Sequence, residues 1–252
     1  MVGICRYGSY LPVHRLERRL IEQAWGTRQA KGEIAVANYD EDALTLAIDA
    51  AMACLGDAPA VVEGAFFAST SAPYAEKQIA SVLATACDLP RSITTADFAG
   101  SVRAGLAATL AALRTVQAGA ASALLVAAAD VRVAAPESEL EGVLGDGAAA
   151  LLVGDQDVIA EFLGAAAIAD AFTHLWRTDV QRTVQVTGGR FSTDFGYGRD
   201  LATAIRALLE RQGLAPAAIR FVALGAPDAR AAADLAKGLG FDAKTQVVAS
   251  LH

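Results

Sequence analysis

Residues 101–119, SVRAGLAATLAALRTVQAG, read as a helix with almost no polar face. Only Arg103, Thr109, Arg114, Thr115 and Gln117 interrupt its apolar surface. A helix apolar on nearly every side is expected between two layers of structure rather than against solvent. The next segment, ASALLVAAADV (121–131), is a continuous apolar run of strand length. Such runs suit strands buried on both faces of a parallel sheet. A helix and a strand of this kind side by side predict a layered α/β fold with central helices between sheets.

The rest of the chain alternates in the same way. NYDEDALTLAIDAAMACLGD (38–57) predicts a helix, with Asp40 as its cap and Glu41 and Asp42 in the first turn. Leu44, Ile48, Met52 and Leu55 line one face, and Gly56 ends it. The charged stretch 15–34 predicts a helix with a loop. VEGAFFAST (62–70) and SITTADF (92–98) predict strands, and PYAEKQIASVLATACDL (73–89) a helix with Pro73 near its start. GDGAAALLVG (145–154) is a Gly-rich turn feeding another apolar strand. A second series then begins. It predicts strands over 158–172, 218–227 and 245–251, and helices over 198–213 and 229–240, with Gly213 closing the first helix. The expected division is therefore 1–155 and 156–252, with no low-complexity linker between the halves. The second series lacks a closing helix and strand pair after His252.

Composition excludes several classes of function. The chain is 54% hydrophobic but only 6% aromatic, so an aromatic platform for nucleic acid is not expected. Its net charge of −7 repels phosphate backbones over the general surface. No charge-free apolar run reaches the length of a membrane span, and the first residues do not form a signal peptide. The three cysteines, Cys5, Cys54 and Cys87, form no CxxC pair. An odd, scattered set predicts reduced thiols in the cytoplasm.

Four segments, in order and sensibly spaced, carry a resemblance. VANYDEDALTLAIDAA, DFAGSVRAGLAA, GDGAAALLVG and RFVALGAPDARAAADLAKGLGF are similar to segments of the thiolase superfamily. They look most like its 3-hydroxy-3-methylglutaryl-CoA synthase-like and ketoacyl synthase III-like branch. The resemblance implies a thiolase-like layered αβαβα fold of two duplicated halves, here with the second half incomplete. It implies a homodimer or hetero-oligomer, acyl-CoA as substrate or ligand, and no bound cofactor beyond the coenzyme A thioester. It also implies a possible zinc-ribbon/OB-fold partner protein. Family members continue past the point matching His252, into a Gly-Asn-Thr-Gly type loop.

The family's chemistry needs a cysteine nucleophile, a histidine and a glutamate. By the resemblance, the cysteine position falls on Val102, or on Ser101 if the loop shifts by one. The histidine position falls on Gly225, two residues before Pro227. The glutamate position falls on Thr70, with Glu76 two helical turns on. His14, His174 and His252 lie elsewhere. Fold and acyl-CoA ancestry are thus implied without the family's covalent Claisen route. Carbon–carbon bond chemistry without an acyl-enzyme needs a general base and an oxyanion hole. The candidates are Ser101, Asp97 and Tyr74, with Tyr197 behind them. Ser101 also suits a helix N-cap, and Asp97 a bond to turn backbone. Arg103, Arg177, Arg190, Arg230 and Lys237 are candidate contacts for coenzyme A phosphates, and the family-like match favours Arg230 and Lys237. The alternative is a non-catalytic CoA-binding or scaffold subunit.

Overall fold

The computed structural model describes residues 1–57, 61–188, 193–226 and 229–248. Arg190, Pro227 and His252, named above, lie outside these. The chain contacts divide into two compact units, Met1–Phe162 and Leu163–His252.

The first unit is built on one mixed sheet. Its strands are β1 (Gly3–Tyr10), β4 (Gly64–Ala68), β5 (Thr94–Phe98), β6 (Ala123–Asp130), β7 (Gly147–Gly154) and β8 (Ala160–Glu161). Their spatial order is β5-β4-β6-β7-β1-β8. β4 runs parallel to β5 and β6, with Gly64 beside both Thr94 and Leu124. β7 runs antiparallel to β6 and to β1. Two short strands, β2 (His14–Glu17) and β3 (Glu33–Val36), form a separate ribbon around helix α1 (Arg18–Trp25). The charged stretch expected as helix and loop is therefore a helix flanked by paired strands.

Helices cover the two faces of the sheet unequally. α2 (Ala43–Leu55) and α3 (Ile79–Ala86) pack on one face, where Leu46, Ala47, Ala50, Leu83, Phe67 and Leu125 are buried together. Gly8 makes this possible at β1, because a side chain there would collide with the Ala50 carbonyl and the Cys54 amide of α2. α4 (Ala104–Gln117) lies on the other face, its Ala108, Ala112 and Leu113 against Phe66, Leu124 and Val126. The Phe66 and Phe98 rings meet there at 5.4 Å between centroids.

Several expectations are corrected at this level. α2 is capped by Asp42, not Asp40. The Asp42 carboxylate accepts from the Leu44 and Thr45 amides, and the Thr45 hydroxyl accepts from the Asp42 amide in return. α3 starts at Ile79, six residues after Pro73, because Asp97 from β5 supplies its cap. α4 buries one face only, and Leu106 on its other face is 73% exposed. Apolar composition all round did not enclose this helix.

In the second unit the helices form as expected and the strands do not. α5 (Gly198–Gln212) ends at Gly213, whose φ of 64° is the left-handed conformation glycine adopts without strain. α6 spans Ala229–Gly238. Ala202, Ala236, Leu239 and Phe241 form a small core with Ile205 and Leu209 packed against it. The strand expected over 158–172 is reduced to Ala160–Glu161, on the edge of the first unit's sheet. Those expected over 218–227 and 245–251 meet, among the described residues, in the single bridge Val222–Val247. A two-stranded ribbon, Leu175–Trp176 with Gln185–Val186, lies in the polar stretch between.

Candidate functional site

Three neighbouring strands, β5, β4 and β6, end side by side because they run parallel. The crevice beyond the carboxyl ends of parallel strands is the usual ligand position in α/β sheets. Here the loop after β4 brings Ser69, Thr70 and Ser71, the loop after β5 brings Gly100, Ser101 and Val102, and β6 ends on Asp130. The first two loops are joined by the Ser69 amide, which donates to the Phe98 carbonyl at 3.0 Å.

Asp130 is the hub. Its Oδ1 accepts from Ser69 Oγ (3.1 Å), the Thr70 amide (2.7 Å), Thr70 Oγ1 (2.9 Å) and Ser71 Oγ (2.9 Å). Ser71 Oγ in turn accepts from the Val131 amide at 2.8 Å. Arg132 Nε stands 4.0 Å from Asp130 Oδ2. Asp146 lies in the same region. Its carboxylate accepts from the Ala37 amide at 2.8 Å. Burial pushes its carboxyl up from the usual range, against hydrogen bonds from the Ala37 and Arg132 amides.

The structure brings together only some of the residues singled out from sequence. Thr70 joins Asp130. Ser101 is exposed, and its Oγ accepts from the Arg103 amide at 3.2 Å, in the turn that opens α4. Among the described residues, no histidine or carboxylate hydrogen-bonds its hydroxyl. Asp97 points into the N-terminus of α3, where its two oxygens accept from the Ile79 and Ala80 amides at 2.6 and 2.7 Å. Tyr74 is exposed, with Lys77 Nζ 5.0 Å from its ring centre. In the second unit, Arg230 is 91% exposed and 3.7 Å from Asp234, and Lys237 is exposed in the last turn of α6. Gly225 and the half-buried Tyr197 also lie in that unit. Two open surface grooves, of about 500 and 350 Å³, include none of these residues. Among the described residues, no cluster of His, Cys, Asp and Glu could hold a metal ion, and no helix is long and apolar enough to cross a membrane.

Sequence reasoning missed Asp130, Arg132 and the two serines flanking Thr70. One signal was available: Asp130 is the lone carboxylate closing the apolar run 121–131.

Several solved structures share this fold. A 3-oxoacyl-(acyl carrier protein) synthase III from Pseudomonas aeruginosa PAO1 superposes with a TM-score of 0.87 at 20% identity, covering 99% of this chain and 83% of that one. An HMG-CoA synthase complexed with CoA superposes with a TM-score of 0.84 at 19% identity, covering 94% of this chain and 63% of that one. No protein-family model matches the chain. Among curated relatives, it is 31% identical over 252 residues to the hydroxymethylglutaryl-CoA synthase of Methanocella arvoryzae, covering 95% of this chain and 72% of the relative. It is 32% identical over 251 residues to that of Methanocaldococcus jannaschii, at 96% and 72%. The chain belongs to the hydroxymethylglutaryl-CoA synthase family.

Proposed function

We propose that the chain binds a coenzyme A thioester and makes or breaks a carbon–carbon bond in its acyl part without forming an acyl-enzyme. What supports this reading is that the residues the resemblance sets at the three family positions are Thr70 for the glutamate, Val102 or Ser101 for the cysteine, and Gly225 for the histidine. Valine is not a nucleophile. A serine hydroxyl needs a base to take its proton, and Ser101 has none hydrogen-bonded to it among the described residues. Two structural relatives support the ligand class, one solved with CoA and one with 3-hydroxy-3-methylglutaryl coenzyme A. In this reading Ser101, Asp97 and Tyr74 are the candidate groups near the acyl part, and Arg230 and Lys237 those for the phosphates.

A second reading is a CoA-binding or scaffold subunit, working with a zinc-ribbon/OB-fold partner. The engagement of Asp97 favours it. A carboxylate with both oxygens accepting from helix amides serves the fold and is poorly placed to move a proton.

Titration calorimetry of the purified protein with CoA and with acetyl-CoA tests both. Saturable micromolar binding is expected. Binding together with turnover of a panel of acyl-CoA esters supports the first reading, and binding with no turnover supports the second. No heat with either ligand, alone or with the partner protein added, overturns both.

A further inference from the structure

Asp130 is used on one side only. Four donors converge on its Oδ1 and fix the carboxylate in place. Among the described residues Oδ2 accepts no hydrogen bond, and Arg132 Nε, at 4.0 Å, stands at the outer limit of an ion pair. The side chain of Asp130 remains 31% exposed, and that of Arg132 23%. The result is a rigid acceptor at the carboxyl end of a parallel strand, next to a guanidinium donor.

A loop latch uses Oδ1 alone. The amide oxygen of an asparagine also accepts hydrogen bonds, more weakly than a carboxylate oxygen. What aspartate adds is a second acceptor, where asparagine would present an NH₂ donor. The hydroxyls of Ser69, Thr70 and Ser71 direct their protons at Asp130 and so are poorly suited to an oxyanion. The site offers an acceptor and, beside it, a cationic donor. A β-hydroxy thioester carries the complement, a hydroxyl donor two carbons from a carbonyl acceptor. A cationic ligand fits less well, because Arg132 already faces the carboxylate.

We propose that Asp130 Oδ2 accepts a hydrogen bond from a hydroxyl on the acyl chain of the bound thioester, and so determines specificity for hydroxyacyl over plain acyl ligands. Ser69, Thr70 and Ser71 are positioning residues that aim it. This rests on the coenzyme A thioester reading above.

Calorimetric titration with 3-hydroxybutyryl-CoA and butyryl-CoA tests it. The wild-type chain is expected to favour the hydroxylated ester by about tenfold or more, as a hydrogen bond to a charged group should. Asp130→Asn keeps the acceptor that holds the loop. Its thermal midpoint should fall, because bonds to a neutral oxygen are weaker, while the folded variant keeps the butyryl-CoA affinity and loses the preference. Equal binding of the two esters by the wild-type chain overturns the proposal and leaves the thioester reading standing, whatever the variant does. A preference that survives in a folded Asp130→Asn variant overturns it too. Failure of both esters to bind removes the thioester reading, and the proposal with it.

Discussion

At the scale of single residues, the buried and half-buried polar groups of the first unit are held in specific pairs. Tyr10 donates to Glu41, whose other oxygen accepts from the Asn38 amide at 2.7 Å. The bond to Glu41, then burial and the negative charge nearby, pushes the Tyr10 phenol up to about 12. The same bond, with that from Asn38, holds Glu41 below the usual carboxylate range. The sign of each linkage follows. The Tyr10 contribution is complete below the unfolded tyrosine value of about 10 and is lost as pH rises toward 12. That of Glu41 is present above the unfolded carboxylate value and is lost as pH falls through its lowered folded value. A difference ultraviolet titration, wild type minus Tyr10→Phe, should isolate this one of the five tyrosines, with its midpoint near 12. Repeated in a Glu41→Gln background, the midpoint should move back toward the ordinary value. A wild-type midpoint already at that value would show the pair does not persist in solution. Sequence did not reveal this pair, because Tyr10 and Glu41 lie 31 residues apart and meet only when β1 and α2 pack.

At the scale of elements, local signals located the helices and tertiary partners set their ends. The charges of NYDED announce a helix start, yet three acids compete for the cap. Asp42 wins because Thr45, three residues on, completes a reciprocal capping box. Asp42→Ala should therefore cost about 1 kcal/mol, read as a lower urea midpoint at unchanged slope. Asp40→Ala, outside the cap, should leave the midpoint where it is. Equal effects from the two would remove the capping box as the cause. α3 shows the opposite case. Its cap comes from Asp97, 18 residues further along the chain, so no local signal at residues 73–78 could place its start. The same contact explains Asp97 as a sequence candidate: a carboxylate at the end of a strand looks available until the neighbouring helix is in place. Arg18 is a third case. It is buried, with Nε donating to the Gly142 carbonyl at 2.7 Å, 124 residues away. In sequence it is one charge among many in a polar helix.

At the scale of the whole molecule, the two units differ in how much structure their sequences specify. All six strands of the main sheet and both of its apolar clusters fall within Met1–Phe162. We propose that this unit corresponds to the first of two duplicated halves and folds by itself. A 1–162 fragment should show mixed α/β circular dichroism and a single cooperative urea transition. A gradual loss of signal without a transition would mean that it needs the rest of the chain. The Asp130 hub, Thr70 and Ser101 all lie in this unit, so their geometry should survive in the fragment.

Sequence by itself determined the α/β alternation, the pairing of apolar strands with helices, and the family. These rest on local periodicity and on segment order, which survive without knowledge of contacts. It also supplied Thr70 as a site position, because the resemblance sets the family's glutamate there. Only the tertiary structure decided which carboxylates are consumed by the fold and which are presented. Asp97 lies one residue before the end of β5 and Asp130 ends β6, and in sequence each is a carboxylate closing a strand. Asp97 faces a helix that uses both of its oxygens, whereas Asp130 faces a hydroxyl loop that uses one. Tertiary packing likewise left part of α4 exposed and reduced the second series' expected strands, among the described residues, to a two-residue strand and a single bridge. A strand forms only when a neighbour supplies its hydrogen bonds, and no single segment carries that neighbour in its own sequence.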